Sequence, residues 1–240
     1  MKIIKVKDYQ EMSYQASRYF IDLLQTKPNA TLGLATGSSP IGLYQELIKR
    51  YQNKEISFAG VKTYNLDEYV GLPLTHPESY VQFMHRNLFD HIDIKKENIH
   101  LPYAEVQNPE AGCQAYNEAL HQAEIDIQLL GIGANGHIGF NEPFTSFQQE
   151  TFIVELTEKT RMDNQRFFAS LDEVPHLAIT MGIKNILEAK QIVLVASGTN
   201  KADAIFQLVN GPVSEAFPAS ALKNHPDVIV IVDEEAASRL

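Results

Sequence analysis

Residues 125–143 read IDIQLLGIGANGHIGFNEP, an apolar run followed by a glycine-rich polar loop. The run IDIQLL has the length and composition of a buried strand. The loop begins with G-x-G-x-x-G at residues 131–136, the spacing of a dinucleotide-binding turn, and Glu155 follows where such a site places an acidic residue. That turn must open a helix, however, and HIGFNEPFTSF contains Gly139 and Pro143 and has no helical apolar period. The stretch therefore indicates a strand and a functional loop, and argues against a nicotinamide cofactor.

Other short apolar runs alternate with amphipathic segments along the whole chain. Several are apolar on both faces, as is typical of parallel strands covered by helices. The sequence therefore predicts an α/β fold with a mostly parallel sheet flanked by helices on both faces. Because no repeat or linker divides the chain, we expect a single domain over residues 1–240. The predicted strands are TLGLA (31–35), VKTYNL (61–66), IDIQLLGIG (125–133), TFIVEL (151–156), HLAITMG (176–182), QIVLVASG (191–198) and DVIVIVD (227–233), and helical segments include PIGLYQELIKRY and NKADAIFQLVN.

Composition excludes several classes of partner. The formal net charge of -10 argues against binding to nucleic acid or to an anionic membrane, both of which need a basic patch. No run is long and apolar enough for a membrane helix, and Asp8 and Glu11 come too early for a signal peptide, so we expect a cytoplasmic protein. The one cysteine, Cys113, is expected to be buried and inert, and the histidine spacing specifies no metal site.

Two loops at predicted strand ends have the features of anion sites. In open α/β sheets, ligands bind beyond the carboxyl ends of the strands. ATGSSP (35–40) offers Gly37, Ser38 and Ser39, with Ser39 as the expected helix N-cap. Alone it favours an ordinary capped turn over an anion site, and its position at a strand end narrows that difference. In ASGTNKA (196–202), Lys201 lies in the first turn of a helix capped by Thr199 or Asn200, where a bound anion explains a cation better than the helix dipole does. A solvated surface lysine is the alternative.

Two further loops supply groups for acid/base chemistry. In NLDEYVG (65–71), Asp67 and Glu68 follow a strand, and the sequence leaves open which one faces the site and whether either is more than a turn residue. In GIGANGHIGFNEP, Asn135, His137, Asn141 and Glu142 form a polar loop, and a histidine five residues before a glutamate is a credible acid/base pair.

The motifs ATGSSP, NLDEYVGLP, HPESY, FMHRNLFDH, GIGANGHIGFNEP and NQRFF, taken together and in order, resemble the glucosamine-6-phosphate deaminases. These belong to a wider group of sugar-phosphate isomerases and lactonases on Rossmann-like sheets. The resemblance runs from the N-terminus to about residue 233. It implies conversion of glucosamine 6-phosphate and water to fructose 6-phosphate and ammonium, without a metal or other cofactor.

The resemblance also implies a role for individual residues. It makes Asp67 the base that removes the C2 proton, His137 the ring-opening acid/base, Glu142 the carboxylate that acts with it, and Asn135 the fourth catalytic position. For the substrate phosphate it implies Gly37, Ser38, Ser39, Arg166 and Lys201.

Two departures from the family pattern carry expectations. Many members have Asp where this chain has Asn135, so Glu142 is expected to be the only carboxylate that supports His137. Members activated by N-acetylglucosamine 6-phosphate have basic residues after NEP and a longer tail, whereas this chain continues FTSFQQETFIVEL and stops at Leu240. We therefore expect hyperbolic kinetics and a monomer or small homo-oligomer. By resemblance, a mobile cover near residues 150–175 would carry Arg166.

Three other functions remain open from the sequence. A 6-phosphogluconolactonase-like hydrolase would bind a sugar phosphate but would not need Asp67 for C–H abstraction. A non-catalytic sugar-phosphate sensor would have no reason to keep a base, an imidazole and a carboxylate together. An NAD-dependent enzyme is weakened by the missing helix.

Overall fold

The computed structural model of the chain describes residues 1–156, 161–162, 168 and 170–240. Within these residues, ten strands and six α-helices alternate along most of the chain. The strands are β1 (Lys2–Val6), β2 (Thr31–Leu34), β3 (Lys62–Asn65), β4 (Asp67–Tyr69), β5 (Ile99–His100), β6 (Ile127–Leu130), β7 (Phe152–Glu155), β8 (Leu177–Thr180), β9 (Gln191–Ala196) and β10 (Val228–Asp233). The helices are α1 (Tyr9–Thr26), α2 (Ile41–Gln52), α3 (Tyr80–Asn87), α4 (Pro109–Gln122), α5 (Ile183–Leu187) and α6 (Ala202–Asn210).

A seven-stranded parallel sheet forms the centre of the molecule, with strand order β1-β10-β9-β6-β2-β3-β5. Every residue of β2, β6 and β10 is buried. Because successive side chains of a strand point to opposite faces, burial of all of them means that both faces of the sheet are covered. The predicted α/β class is confirmed, and no helix in the described part of the chain is long and apolar enough to span a membrane.

Two of the predicted strands lie outside this sheet. TFIVEL and HLAITMG become β7 and β8, which pair antiparallel with each other and, through β8, with β4 in a separate three-stranded sheet. Leu66 is the junction between the two sheets: its N–H donates to Leu34 O (3.2 Å), and its carbonyl accepts from Met181 N–H (2.6 Å). The chain thus leaves the parallel sheet at the end of β3 and enters the small sheet at Asp67.

The strand order reverses direction between β2 and β6. From β2 the chain proceeds through β3 to β5 on one side, whereas β6, β9 and β10 build outward on the other. In open α/β sheets, the loops on either side of such a reversal diverge at the carboxyl edge, and ligands bind between them. Here these are the loops that follow β2 and β6.

The opposite edge of the sheet is held by Asp126, just before β6. Its carboxylate is 6% exposed and accepts from Lys27 Nζ (2.7 and 2.8 Å), Lys190 Nζ (3.1 Å) and the N–H of Thr31 (2.9 Å). Burial raises the pKa of Asp126, but these hydrogen bonds, led by that from Lys27, outweigh burial and hold the pKa below its ordinary value. One carboxylate therefore links the amino ends of β2, β6 and β9.

We expect Asp126→Asn to lower the free energy of unfolding at neutral pH by about 1–3 kcal/mol, because both lysines lose a charged acceptor at a buried position. Urea denaturation measures the change. The matched control is Glu124→Gln, which contacts the same Lys190 from a side chain that is 82% exposed and should leave the unfolding midpoint unchanged.

The sign of the pH dependence follows from the lowered pKa. The contribution of Asp126 is present above the ordinary carboxyl pKa of 3.8 and is lost as the pH falls through the lower folded value. The gap between wild type and Asp126→Asn should therefore narrow on acidification. Equal midpoints at neutral pH would contradict the assignment.

Candidate functional site

Asp67 and Glu68 are separated by the alternation of side chains along β4. Glu68 is fully buried, and its carboxylate accepts from the N–H groups of Tyr69 (2.8 Å), Tyr80 (3.0 Å) and Val81 (3.0 Å). Tyr80 and Val81 begin α3, so Glu68 satisfies N–H groups that the first turn of a helix leaves unpaired. Glu68 is therefore engaged in holding α3 against β4.

Asp67 lies in a different environment. It is 6% exposed, and no donor within the described residues forms a hydrogen bond or ion pair with its carboxylate. Burial and, secondarily, the charge of Glu68 raise the pKa of Asp67 to about 8. A buried carboxyl group with this pKa is suited to exchange protons near neutral pH.

The loop after β6 is shaped by close backbone turns. Gly133 N–H donates to His137 O (2.9 Å), and Gly136 N–H donates to Gly133 O (3.0 Å). Gly136 has φ 84°, in the region that favours glycine, and a Cβ atom there would lie 2.3 Å from the ring of Phe217. A Cβ atom at Gly133 would lie 2.2 Å from the His137 ring, so the absent side chain leaves the space that the imidazole fills.

His137, Asn135 and Glu142 form a connected polar chain. His137 Nδ1 lies 2.7 Å from Asn135 Oδ1, Asn135 Nδ2 donates to Glu142 Oε2 (2.7 Å), and Glu142 Oε1 lies 3.6 Å from His137 Nδ1. Since the amide oxygen can only accept, this network assigns the proton to Nδ1 in the neutral imidazole. The tautomer leaves Nε2 as the basic ring nitrogen.

Asn141 and Thr180 fix the far half of this loop. Asn141 is fully buried, and its Nδ2 donates to Ile138 O and Met181 O, both at 2.9 Å. Thr180, also fully buried, accepts from Phe140 N–H at 3.1 Å. The sequence analysis places Asn141 among the candidate site groups, but the side chain of Asn141 contacts only the backbone of the scaffold. The sequence analysis misses Thr180, and the only signal for it is a hydroxyl residue at the end of the apolar strand LAIT.

These two contacts bring the loop to Asp67. Thr180 is the cross-strand partner of Asp67 in the small sheet. A Cβ atom at Gly139 would lie 3.2 Å from Thr180 Oγ1 and 3.5 Å from Asp67 Oδ2. The predicted base and the His137 loop are thus in contact distance through Gly139, whose φ of 56° also favours glycine.

The turn after β2 presents unpaired backbone donors. Gly37 has φ 91°, and within the described residues no acceptor takes the N–H groups of Gly37, Ser38 or Ser39. Consecutive N–H groups of this kind make an anion-binding concavity. A Cβ atom at Gly131 would lie 4.0 Å from Ser39 Oγ, which places the turn beside the end of β6.

The predicted cap of α2 is wrong by one residue. Pro40 occupies the N-cap position with φ −82° and ψ −9°, and its side chain forms no capping hydrogen bond. Because proline has no N–H and its φ already suits a helical turn, it takes the cap position itself, and the Ser39 hydroxyl is not used there.

Lys201 lies at the end of the turn after β9. This turn is held by Asp233, which accepts from Gly198 N–H (3.1 Å). Thr199 and Asn200 do not cap α6 as predicted, because a 3₁₀ turn, Thr199–Lys201, precedes the helix. Lys201 is half-buried, burial lowers its pKa, and no carboxylate in the described part of the chain lies within 4.0 Å of its ammonium group.

The strands that carry these groups are adjacent in the sheet, in the order β9, β6, β2 and β3. Lys201 follows β9, the His137 loop follows β6, the Gly37–Ser39 turn follows β2 and Asp67 follows β3. Asn135, His137 and Glu142 are in direct contact with one another. Arg166, the remaining predicted phosphate ligand, lies outside the described residues.

The chain is similar to known proteins over nearly its whole length. The family model "Glucosamine-6-phosphate isomerases/6-phosphogluconolactonase" matches residues 8–230. A glucosamine-6-phosphate deaminase of Thermoanaerobacter pseudethanolicus is 52% identical over 99% of this chain and 94% of its own length, and one from Lysinibacillus sphaericus is 53% identical over 96% and 98%.

Solved structures distinguish near from distant similarity. The structure of a monomeric glucosamine-6-phosphate deaminase superposes with a TM-score of 0.96 at 47% identity, over 100% of both chains. A 6-phosphogluconolactonase from Trypanosoma brucei superposes with a TM-score of 0.79 at 17% identity over 100% of this chain and 98% of its own, a likeness that extends to the fold alone. The chain belongs to the family of glucosamine-6-phosphate isomerases and 6-phosphogluconolactonases.

Proposed function

We propose that this chain is a cytoplasmic glucosamine-6-phosphate deaminase that converts glucosamine 6-phosphate and water to fructose 6-phosphate and ammonium. The observation that carries the proposal is a buried carboxyl group, Asp67, that no donor among the described residues engages, beside the connected chain of His137, Asn135 and Glu142. Relatives named as deaminases at about half identity over nearly the full chain support the same substrate. Because the lactonase likeness is confined to the fold, lactonase activity is the weaker proposal.

In the first step, His137 opens the sugar ring. Nδ1 is held by Asn135, so Nε2 takes the proton from the anomeric hydroxyl and the ring oxygen receives one as the C1–O5 bond breaks. An imidazolium forms on His137 between the two proton transfers. Glu142 stabilises it, because Glu142 accepts a hydrogen bond from Asn135 and its Oε1 lies 3.6 Å from His137 Nδ1. The product is an open-chain aldehyde whose carbonyl acidifies the hydrogen at C2.

In the second step, Asp67 acts on carbon. Its carboxylate takes the C2 proton, and the C2–H electron pair forms the C1–C2 double bond as the C1=O π pair moves to O1, which takes a proton from the substrate ammonium group to give an enol. Asp67 then returns its proton to C1 while the nitrogen lone pair forms the C=N bond of a ketimine at C2. Water adds to the ketimine carbon and the C–N bond breaks, which releases ammonium and gives the ketone. The net reaction is hydrolytic, although the bond changes at C1 and C2 are those of an aldose–ketose isomerisation.

Binding of the phosphate fixes the reacting carbons. The N–H groups of Gly37, Ser38 and Ser39, together with the half-buried Lys201, offer donors and one positive charge to the phosphate, and Arg166 completes this set by resemblance. Because the net charge of the chain is -10, such local groups must supply the attraction that binds the phosphate. Phosphate binding energy, remote from C1 and C2, lowers the entropic cost of positioning them.

We expect the purified protein to release fructose 6-phosphate and ammonium in equal amounts from glucosamine 6-phosphate without added metal or nucleotide. Asp67→Asn should lower kcat by a factor of at least about 1,000, because an amide cannot accept the C2 proton. Asp203→Asn, which changes a carboxylate that is 78% exposed, is the matched control. Turnover of 6-phosphogluconolactone with no release of ammonium from glucosamine 6-phosphate would favour the lactonase.

The pH profile tests the same base independently. Asp67 must be ionised to act, and burial raises its pKa to about 8, so kcat/KM should rise with pH up to about that value. A limb that instead ends in the ordinary carboxyl range would exclude Asp67 as the group that controls it.

We expect Glu142→Gln to lower kcat by about 100-fold, because the imidazolium then loses its carboxylate. Asn135→Asp, which places a second carboxylate beside His137, should retain activity because it can still accept from Nδ1. Asn135→Ala removes the amide that orients His137 and keeps the charge of Glu142, so its effect on the rate measures orientation alone. If Glu142→Gln keeps the wild-type rate while Asn135→Ala abolishes it, Glu142 is not the supporting carboxylate.

We propose a monomer or small homo-oligomer without activation by N-acetylglucosamine 6-phosphate, since the segment FTSFQQETFIVEL after Pro143 lacks the cations for a second phosphate site. Rates should follow a hyperbola, unchanged by that compound, and light scattering should give a mass near 27.0 kDa or a small multiple. Sigmoidal rates that become hyperbolic on its addition would refute the proposal.

A further inference from the structure

The hydroxyl of Tyr9 links the turn that follows β2 to the start of α2. Tyr9 is the first residue of α1, and its hydroxyl donates to Ser38 O (3.0 Å) while accepting from Gly42 N–H (2.8 Å). Ser38 lies in the turn and Gly42 in the first turn of α2, so one side chain from a separate helix connects the turn to the helix that follows it. Neither bond is local in sequence.

These two bonds determine the directions of backbone groups. The Ser38–Ser39 peptide is planar and trans, so the Ser39 N–H points opposite to the Ser38 carbonyl that Tyr9 holds. The Ser39 N–H is therefore directed away from Tyr9. Without the hydroxyl, rotation of this peptide would exchange a donor for a carbonyl oxygen, which repels an anion.

The second bond also limits where an anion can bind on α2. The first N–H groups of a helix have no partner within the helix, and Gly42 N–H is one of them. Tyr9 satisfies Gly42 N–H, and Pro40 has no N–H to offer. The N–H groups of Gly37, Ser38 and Ser39, for which no acceptor is found among the described residues, stay available to an anion.

Close packing between the two helices makes this contact possible. A Cβ atom at Gly42 would lie 2.3 Å from Ser13 Oγ and 3.0 Å from Tyr9 Cε1. Residue 42 therefore has room for no side chain, and α1 approaches the start of α2 closely enough for the Tyr9 hydroxyl to reach its backbone.

We infer that Tyr9 is a positioning residue for the substrate phosphate: its hydroxyl holds the Gly37–Ser39 turn in the orientation that presents N–H groups to the anion. The inference rests on the proposed function for the identity of the substrate. Tyr9 acts through the turn and does not itself contact phosphate, and its ring packs on Gly42 independently of the hydroxyl. Removal of the hydroxyl alone should therefore weaken phosphate binding without unfolding the protein.

The test compares Tyr9→Phe with Tyr14→Phe, a matched loss of one hydroxyl from a tyrosine on the same helix that is 40% exposed. Calorimetry measures the Kd of inorganic phosphate, and steady-state assays measure KM and kcat with glucosamine 6-phosphate. For Tyr9→Phe, the Kd and KM should rise together by about 3- to 10-fold, the range for loss of one hydrogen bond, with kcat within about twofold. Tyr14→Phe should match wild type.

The outcomes separate this inference from the proposed function. Weaker phosphate binding in Tyr9→Phe alone supports the role of Tyr9 even if wild type does not turn over glucosamine 6-phosphate. Wild-type turnover with an unchanged Kd and KM in Tyr9→Phe overturns the inference and leaves the function standing. A lower melting temperature with unchanged Kd and KM would make Tyr9 merely structural, and absence of phosphate binding to wild type would also overturn the inference.

Discussion

The passage of the chain from one sheet to another at Leu66 is the constraint on which the site depends. A strand that continued in the parallel sheet would carry Asp67 along the sheet edge. Instead, the hydrogen bonds of Leu66 to Leu34 and Met181 turn the chain into the small antiparallel sheet, where Thr180 lies opposite Asp67. The same Thr180 receives the loop that bears His137, so the two halves of the site meet across one pair of strands.

The parallel sheet has a buried carboxyl group near each edge, and the two groups lie in opposite electrostatic environments. At the amino edge, Asp126 is surrounded by cations and amide groups that favour its charged form. Near the carboxyl edge, Asp67 is equally buried but lacks such partners in the described part of the chain, so its charge is disfavoured. One carboxylate cannot combine both properties, because the hydrogen bonds that would anchor it also stabilise its charge and lower its basicity.

The sequence predicts the fold well because an apolar run directly indicates a buried segment. The predicted bounds of strands such as β9 and β10 lie within a few residues of the observed ones. It does not predict that TFIVEL and HLAITMG form a separate sheet, since an apolar run does not specify its pairing partner. It cannot choose between Asp67 and Glu68 from the residues alone, because alternation puts them on opposite faces without saying which face is which. The caps at Ser39, Thr199 and Asn200 fail for a similar reason: several polar residues lie near each helix start, and backbone geometry selects among them.

The close contact between Gly133 and His137 shows that the motif G-x-G-x-x-G can occur for two different structural reasons. In a dinucleotide site, the glycines of G-x-G-x-x-G admit a pyrophosphate and a helix. Here the space above Gly133 is filled by the protein's own imidazole. The spacing of the glycines therefore indicates space beside a strand end and does not by itself specify a cofactor. Because the His137 ring occupies that space in this chain, Gly133 cannot also admit the pyrophosphate of a dinucleotide.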